Sequence, residues 1–193
     1  MSDIVVTLGI QWPVGPTGET GATGPQGSML TTIALPMGEL SLTDNVTATV
    51  ITTQSTWTLV APGWTLGTAV AYDEPTDGRL RYTGALTGHT HMGCTMSVSS
   101  AGTNNVLKGV IVKNATVNAN NEYAGGTVLS AGTIQFKNGA PGDVNSTAIH
   151  VMTHFMTNDT MSLFIQNMTN TSDLTVVHAN LFVMGPLGLV VVP

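Results

Sequence analysis

Gly15, Gly18, Gly21, Gly24 and Gly27 recur at every third residue of the run GPT-GET-GAT-GPQ-GSM, with Pro16 and Pro25 second in their triplets. That period belongs to a collagen-type triple helix, where only a hydrogen side chain fits at the crowded axis shared by three chains. One chain cannot build it, so the period predicts a threefold object. A flexible linker also contains Gly, Pro and Thr, but a linker has no reason to hold phase through five glycines. The phase starts at Gly15, because Trp12 occupies the preceding glycine position. The segment spans only about 40 Å in a polyproline-type conformation. It is therefore expected to depend on another part of the chain for association.

Composition sets the fold class of that other part. Charged residues are 8% of the chain and hydrophobic residues 42%, whereas charged residues make up about a quarter of typical soluble proteins. Polarity comes instead from Thr, Asn and Ser. Thr and Val favour extended strands, and helix-forming runs of Ala, Leu, Glu and Lys are missing. The chain reads as all-β. Five basic residues against eleven acidic ones, with net charge -6, argue against nucleic acid, which requires a concentrated basic surface. No stretch reaches the ~20 apolar residues of a membrane span. The opening MSDIVVTLGI lacks the basic flank of a secretory signal. The single cysteine, Cys94, lies in an apolar alternation and is expected as a small buried residue.

Three regions follow. Residues 1–14 form an apolar, strand-like leader in which Ile4, Val5, Val6, Leu8, Ile10 and Trp12 are the anchor residues. Residues 15–29 are the triplet stalk, and residues 30–193 the head. In the head, alternation predicts strands over 46–51, 57–59, 64–72, 79–82, 89–99, 106–113, 126–136, 148–156, 161–168 and 175–184. A last edge or axial strand is expected over 187–192, with a turn over 73–78. Such spacing without intervening helices predicts an antiparallel jelly-roll sandwich.

Chemistry-bearing residues are sparse. His89 and His91 share a face opposite Met92, Cys94 and Met96, and His150 and His154 share a face with Met152 between them. In a trimer such pairs would converge on an axis, but no carboxylate or cysteine stands at a supporting spacing. Exposed or interface imidazoles are the expectation. Nucleophile-elbow, Cys-His and phosphate-loop motifs are absent from the sequence. Nearly all of the carboxylates Asp73, Glu74, Asp77, Glu122, Asp143, Asp159 and Asp173 fall in or beside predicted turns, where local hydrogen bonding favours Asp. Six Asn-x-Ser/Thr sequons, at Asn45, Asn114, Asn145, Asn158, Asn167 and Asn170, are expected from the composition alone. No catalytic residue, cofactor or metal ligand set is expected.

The phrases DGRLRYTG (77–84), MSVSSAGTNNVLKGVIVKN (96–114) and SLFIQNMTNTSDLTVVHANLFVMG (162–185) resemble a trimeric jelly-roll module of bacteriophage structural proteins. In that module a G-x-L-x-Y-x-G strand, an S-x-x-G-x-N turn and a closing N-L-x-x-x-G recur in this order. The architecture is similar to C1q and tumour-necrosis-factor-like heads, which follow collagen stalks elsewhere. The resemblance covers residues 77–185 and implies a homotrimer on a virion surface, as head fibre, capsid decoration or tail-fibre tip. With fourteen residues ahead of the stalk, the leader is expected to dock by β-augmentation on a capsid or other virion protein. The alternative expectation is a receptor-binding tip for host-surface glycan.

Overall fold

The computed structural model describes residues 34–187, together with Gly15, Glu19 and Gly21. Contacts divide the chain into Met1–Ile33 and Ala34–Pro193. Gly15, Glu19 and Gly21 are exposed, and a Cβ on either glycine would meet nothing within 4 Å. The anchor residues, the other three stalk glycines and the expected final strand beyond Leu187 lie outside the described residues.

The second unit is all-β. Its strands are β1 (Met37–Leu42), β2 (Thr58–Leu59), β3 (Thr65–Val70), β4 (Tyr72–Thr76), β5 (Arg79–Tyr82) and β6 (Gly88–Ser100). They continue with β7 (Asn105–Val117), β8 (Tyr123–Val128), β9 (Ile134–Asn138), β10 (Val144–Phe155), β11 (Thr160–Asn167) and β12 (Leu174–Leu187). One sheet has the order β10-β6-β12-β1-β3. The other runs β4-β5-β11-β7-β8, with β2 added on β11 and β9 on β7. Every pairing is antiparallel, and the two sheets form a jelly-roll sandwich. Among the described residues no helix is long and apolar enough to cross a membrane.

Alternation decides which side chains meet between the sheets. From β6 come Met92, Cys94, Met96 and Val98, and from β12 Leu181 and Val183. They pack with Leu107, Ile111, Leu163, Ile165 and Phe155 in one buried cluster. Fully burying such a side chain contributes roughly 1.5–3 kcal/mol. Strand β7 reads as continuously apolar because it is covered on both faces. Leu107 and Ile111 enter the main core, while Val110 and Val112 join Ala115 and Phe164 in a second cluster beneath Trp57, Leu59 and Tyr123.

Four expectations need correction. Residues 46–51 form no strand. Asp44 takes a positive φ of 50°, the Asn45 side chain accepts the Thr47 N–H in an Asx turn, and a single bridge at Thr49 is all that pairs. Val46 is left 89% exposed. The strand expected over 64–72 is broken at Ala71, whose φ of 60° turns the chain out of the first sheet after Val70 and into the second at Tyr72. The turn expected over 73–78 is shorter, because β4 runs on to Thr76; Pro75 is tolerated there on an edge strand. The strand expected over 126–136 is two strands, β8 and β9, lying along successive stretches of β7 and separated by a 3-10 turn at Ser130–Gly132.

Candidate functional site

The seven carboxylates named above are all engaged in structural bonds. Asp73 accepts two hydrogen bonds from Arg81. Asp77 accepts the N–H groups of Gly63 and Trp64, and Glu74 that of Gly78. Asp143 accepts from Ala140 and Asp173 from Ile51, while Glu122 is bonded by Asn118. Asp159 is the most enclosed of the oxygen clusters. It accepts Lys113 Nζ and Asn114 Nδ2 at 2.7 Å each, and the Met156 N–H at 2.8 Å. Burial pushes its carboxyl upward, but these three donors outweigh burial and hold it below the usual aspartate range. Lys113 also donates to the His154 carbonyl, so this group ties β7 to the end of β10. Cys94 is fully buried, and burial pushes its thiol well above the ordinary range. Such a thiol is inert.

The distinctive surface is the outer face of the β10-β6-β12-β1-β3 sheet. Alternation sends His89 and His91 of β6 outward, and His150 and His154 of β10 with them. His178 leaves the same face from β12. All five histidines of the chain therefore share one sheet face. All five Lys and Arg residues, Arg79, Arg81, Lys108, Lys113 and Lys137, sit on β5, β7 and β9 of the other sheet. The histidine-bearing face carries two carboxylates: Glu39, held below its usual range mainly by the Thr68 N–H and then by Asn180, and Asp44, whose Oδ1 lies 3.6 Å from His178 Nε2. It also carries exposed apolar side chains: Val144 at 54%, Met152 at 66% and Met184 at 44%.

Register explains how the two histidine pairs meet. His89 stands directly opposite His154, and His150 opposite Gly93. The His89 and His154 rings lie 5.9 Å apart, edge to face. His91 and His150 stack at 5.5 Å and 7°. The Phe182 ring stands edge-on to both, at 5.9 and 6.1 Å. It reaches across β6 because residue 93 is glycine, whose absent Cβ would collide with that ring. Sequence reasoning placed each pair on a face but missed their adjacency, which only the β6–β10 register supplies. Among the described residues no three His, Cys, Asp or Glu side chains converge as a metal site.

Two shallow grooves also open on this face. One of about 650 Å³ is lined by Ser41, Thr43, Thr95, Ser97, Ser146 and Asn180, among others. The other, of about 340 Å³, runs past Met37, Glu39, Phe182 and Met184. A sheet face with few charges, exposed thioethers and open grooves has the character of a surface that becomes covered.

No family model matches the sequence, and no curated protein matches it. Solved structures align with it at low identity. Murine APRIL at pH 5.0 aligns over 79% of this chain and 100% of its own, with 13% identity and a TM-score of 0.47. Its pH 8.5 form aligns over 77% and 99%, with 15% identity and a TM-score of 0.46. Eiger TNF from S. frugiperda aligns over 82% and 98%, with 11% identity and a TM-score of 0.49. The protein is an antiparallel jelly-roll sandwich.

Proposed function

We propose that this chain is a non-enzymatic structural protein of a virion surface. It assembles as a homotrimer, docks on a capsid or other virion protein through residues 1–14, and displays its jelly-roll head at the particle surface. The triplet glycines support threefold assembly, since a collagen-type helix needs three copies. The phrases shared with phage jelly-roll modules support the virion setting. The single observation that carries the reading is the segregation of charge between the two sheets. A face with no Lys or Arg and two carboxylates, one of them beside a histidine, can pack against neighbouring copies around a threefold axis with little like-charge repulsion, and its exposed methionines gain by burial.

Light scattering on the full chain tests the assembly. The expected mass is three times the 20.0 kDa chain, and a monomer at micromolar concentration would refute it. Peptide mass spectrometry of purified particles, with antibody labelling of intact virions, tests the location.

One observation favours a second reading, a receptor-binding tip for host-surface glycan. The larger groove carries hydroxyl and amide groups suited to sugar, beside Ala148, His178 and Ala179. It lies on the face proposed to be covered, so the two readings compete. Glycan-array binding that is lost in Ser97→Trp while trimer mass persists would favour the tip.

A further inference from the structure

Across the outer face of the first sheet, four side chains form a single row perpendicular to the strands. Met152 on β10 is the register partner of His91 on β6, His91 of Met184 on β12, and Met184 of Met37 on β1. Directly opposed residues in antiparallel strands have Cβ atoms about 4.5–5.5 Å apart. All four point to the same side of the sheet, as the alternation of burial along each strand requires. Met37 and Met184 line the smaller groove on that face. The row thus presents thioether, imidazole, thioether and thioether in sequence, with His150 stacked 5.5 Å from His91.

The donor chemistry narrows the ligand. Calcium and magnesium require several oxygen donors, and no carboxylate stands in the row. Zinc prefers three or four His, Cys or carboxylate ligands, and no such group converges among the described residues. Neutral thioethers beside an imidazole suit a soft monovalent ion, for which methionine sulfur selects. Methionine has three rotatable bonds, so two of them flanking one histidine can close on a shared ion without moving the strands. Lys113, which bonds the His154 carbonyl at the end of β10, is paired with Asp159, leaving little uncompensated positive charge there to oppose a cation.

We propose that Met152, His91 and Met184 form a cuprous-ion site on β10, β6 and β12, flanked by Met37 and His150. The donors come from one protomer, so the site does not depend on the assembly proposed above. Thioethers that only pack against a second copy would be replaceable by leucine, an apolar side chain of similar volume; thioethers that hold copper would not.

The full chain, under ascorbate, is titrated with Cu(I) against the chromogenic chelator bicinchoninate. It should withhold one ion per protomer. The double variant Met152→Leu/Met184→Leu should lose at least tenfold in affinity, and so should His91→Leu. His178→Ala, on the same face but outside the row, should bind like the parent; circular dichroism confirms that each variant is folded. Surrender of all copper by the parent, or equal retention by the double leucine variant, overturns the proposal. Light scattering on the same samples separates the two readings. A monomer that holds copper refutes the trimer alone, and a trimer that releases all copper refutes the site alone.

Discussion

Met152→Glu tests whether the histidine-bearing face is where copies meet. Met152 is 66% exposed, so most of the roughly 1.5–3 kcal/mol available from burying a methionine is unrealised in the single chain. Covering it in an assembly would contribute about 1–2 kcal/mol per copy, or about 3–6 kcal/mol per trimer, on that scale. Losing this term alone weakens association by roughly 10²–10⁴-fold. A carboxylate enclosed on a face without Lys or Arg adds several kcal/mol more per copy. The isolated head should hardly notice, because exposed substitutions usually change stability by about 0.5 kcal/mol or less. Light scattering and sedimentation across a concentration series should show a trimer for the parent and a folded monomer for the variant. Thr127→Glu, exposed on β8 of the other sheet, should remain trimeric. An undiminished trimer in Met152→Glu, or equal dissociation in Thr127→Glu, would refute the assignment of the face.

Asp159→Ala removes three donors' common acceptor and leaves Lys113 uncompensated, which should cost about 3 kcal/mol in urea unfolding, as breaking buried pairs does. Because the folded-state carboxyl is held low, its contribution is complete above the ordinary aspartate value of 3.8 and is lost as pH falls below that through the folded value. The parent should therefore lose stability more steeply than Asp159→Ala between about pH 4 and 2. Gly126→Ala should destabilise by about 1–3 kcal/mol, since Gly126 has φ +112° and its Cβ would lie 2.6 Å from the Asn114 carbonyl. Gly21→Ala should loosen the stalk, read as lower protease resistance of residues 15–29, while light scattering still reports a trimeric head. Cys94 should resist a thiol reagent such as dithionitrobenzoate until the protein is unfolded.

Strands with strict alternation were readable from composition and period alone. Residues 89–99 have one apolar and one polar face, so only one orientation buries the right half; residues 175–184 alternate on either side of a bulge at Val176–His178 that shifts which positions are buried. Residues 106–113 were readable for the opposite reason, since a strand covered on both faces shows no alternation. Legibility failed where backbone conformation decides. Nothing in the side chain of Ala71 announces a positive φ, and Val46 looks like a strand residue although Asp44 and Asn45 have already turned the chain. The site was half legible. Period two gives which histidines share a face, but it cannot say that β10 lies beside β6 and β12 on its other side. The row of Met152, His91 and Met184 joins residues far apart in sequence, and only register assembles it.

Strands β1 and β12 are antiparallel neighbours, with Met37 opposite Met184 and the Gly185 N–H bonded to the Pro36 carbonyl. The chain thus enters this unit and completes its last described strand at one rim of the sandwich. The connections Ser100–Asn105, Asn138–Val144 and Asn167–Leu174 all turn at the opposite rim. Of these, the Asn138–Val144 connection offers the most room. Residues 139–144 are exposed, and a Cβ at Gly142 would meet nothing within 4 Å. A foreign peptide spliced between Pro141 and Gly142 would therefore be carried away from both ends of the described fold, making this jelly roll a natural carrier for grafted epitopes.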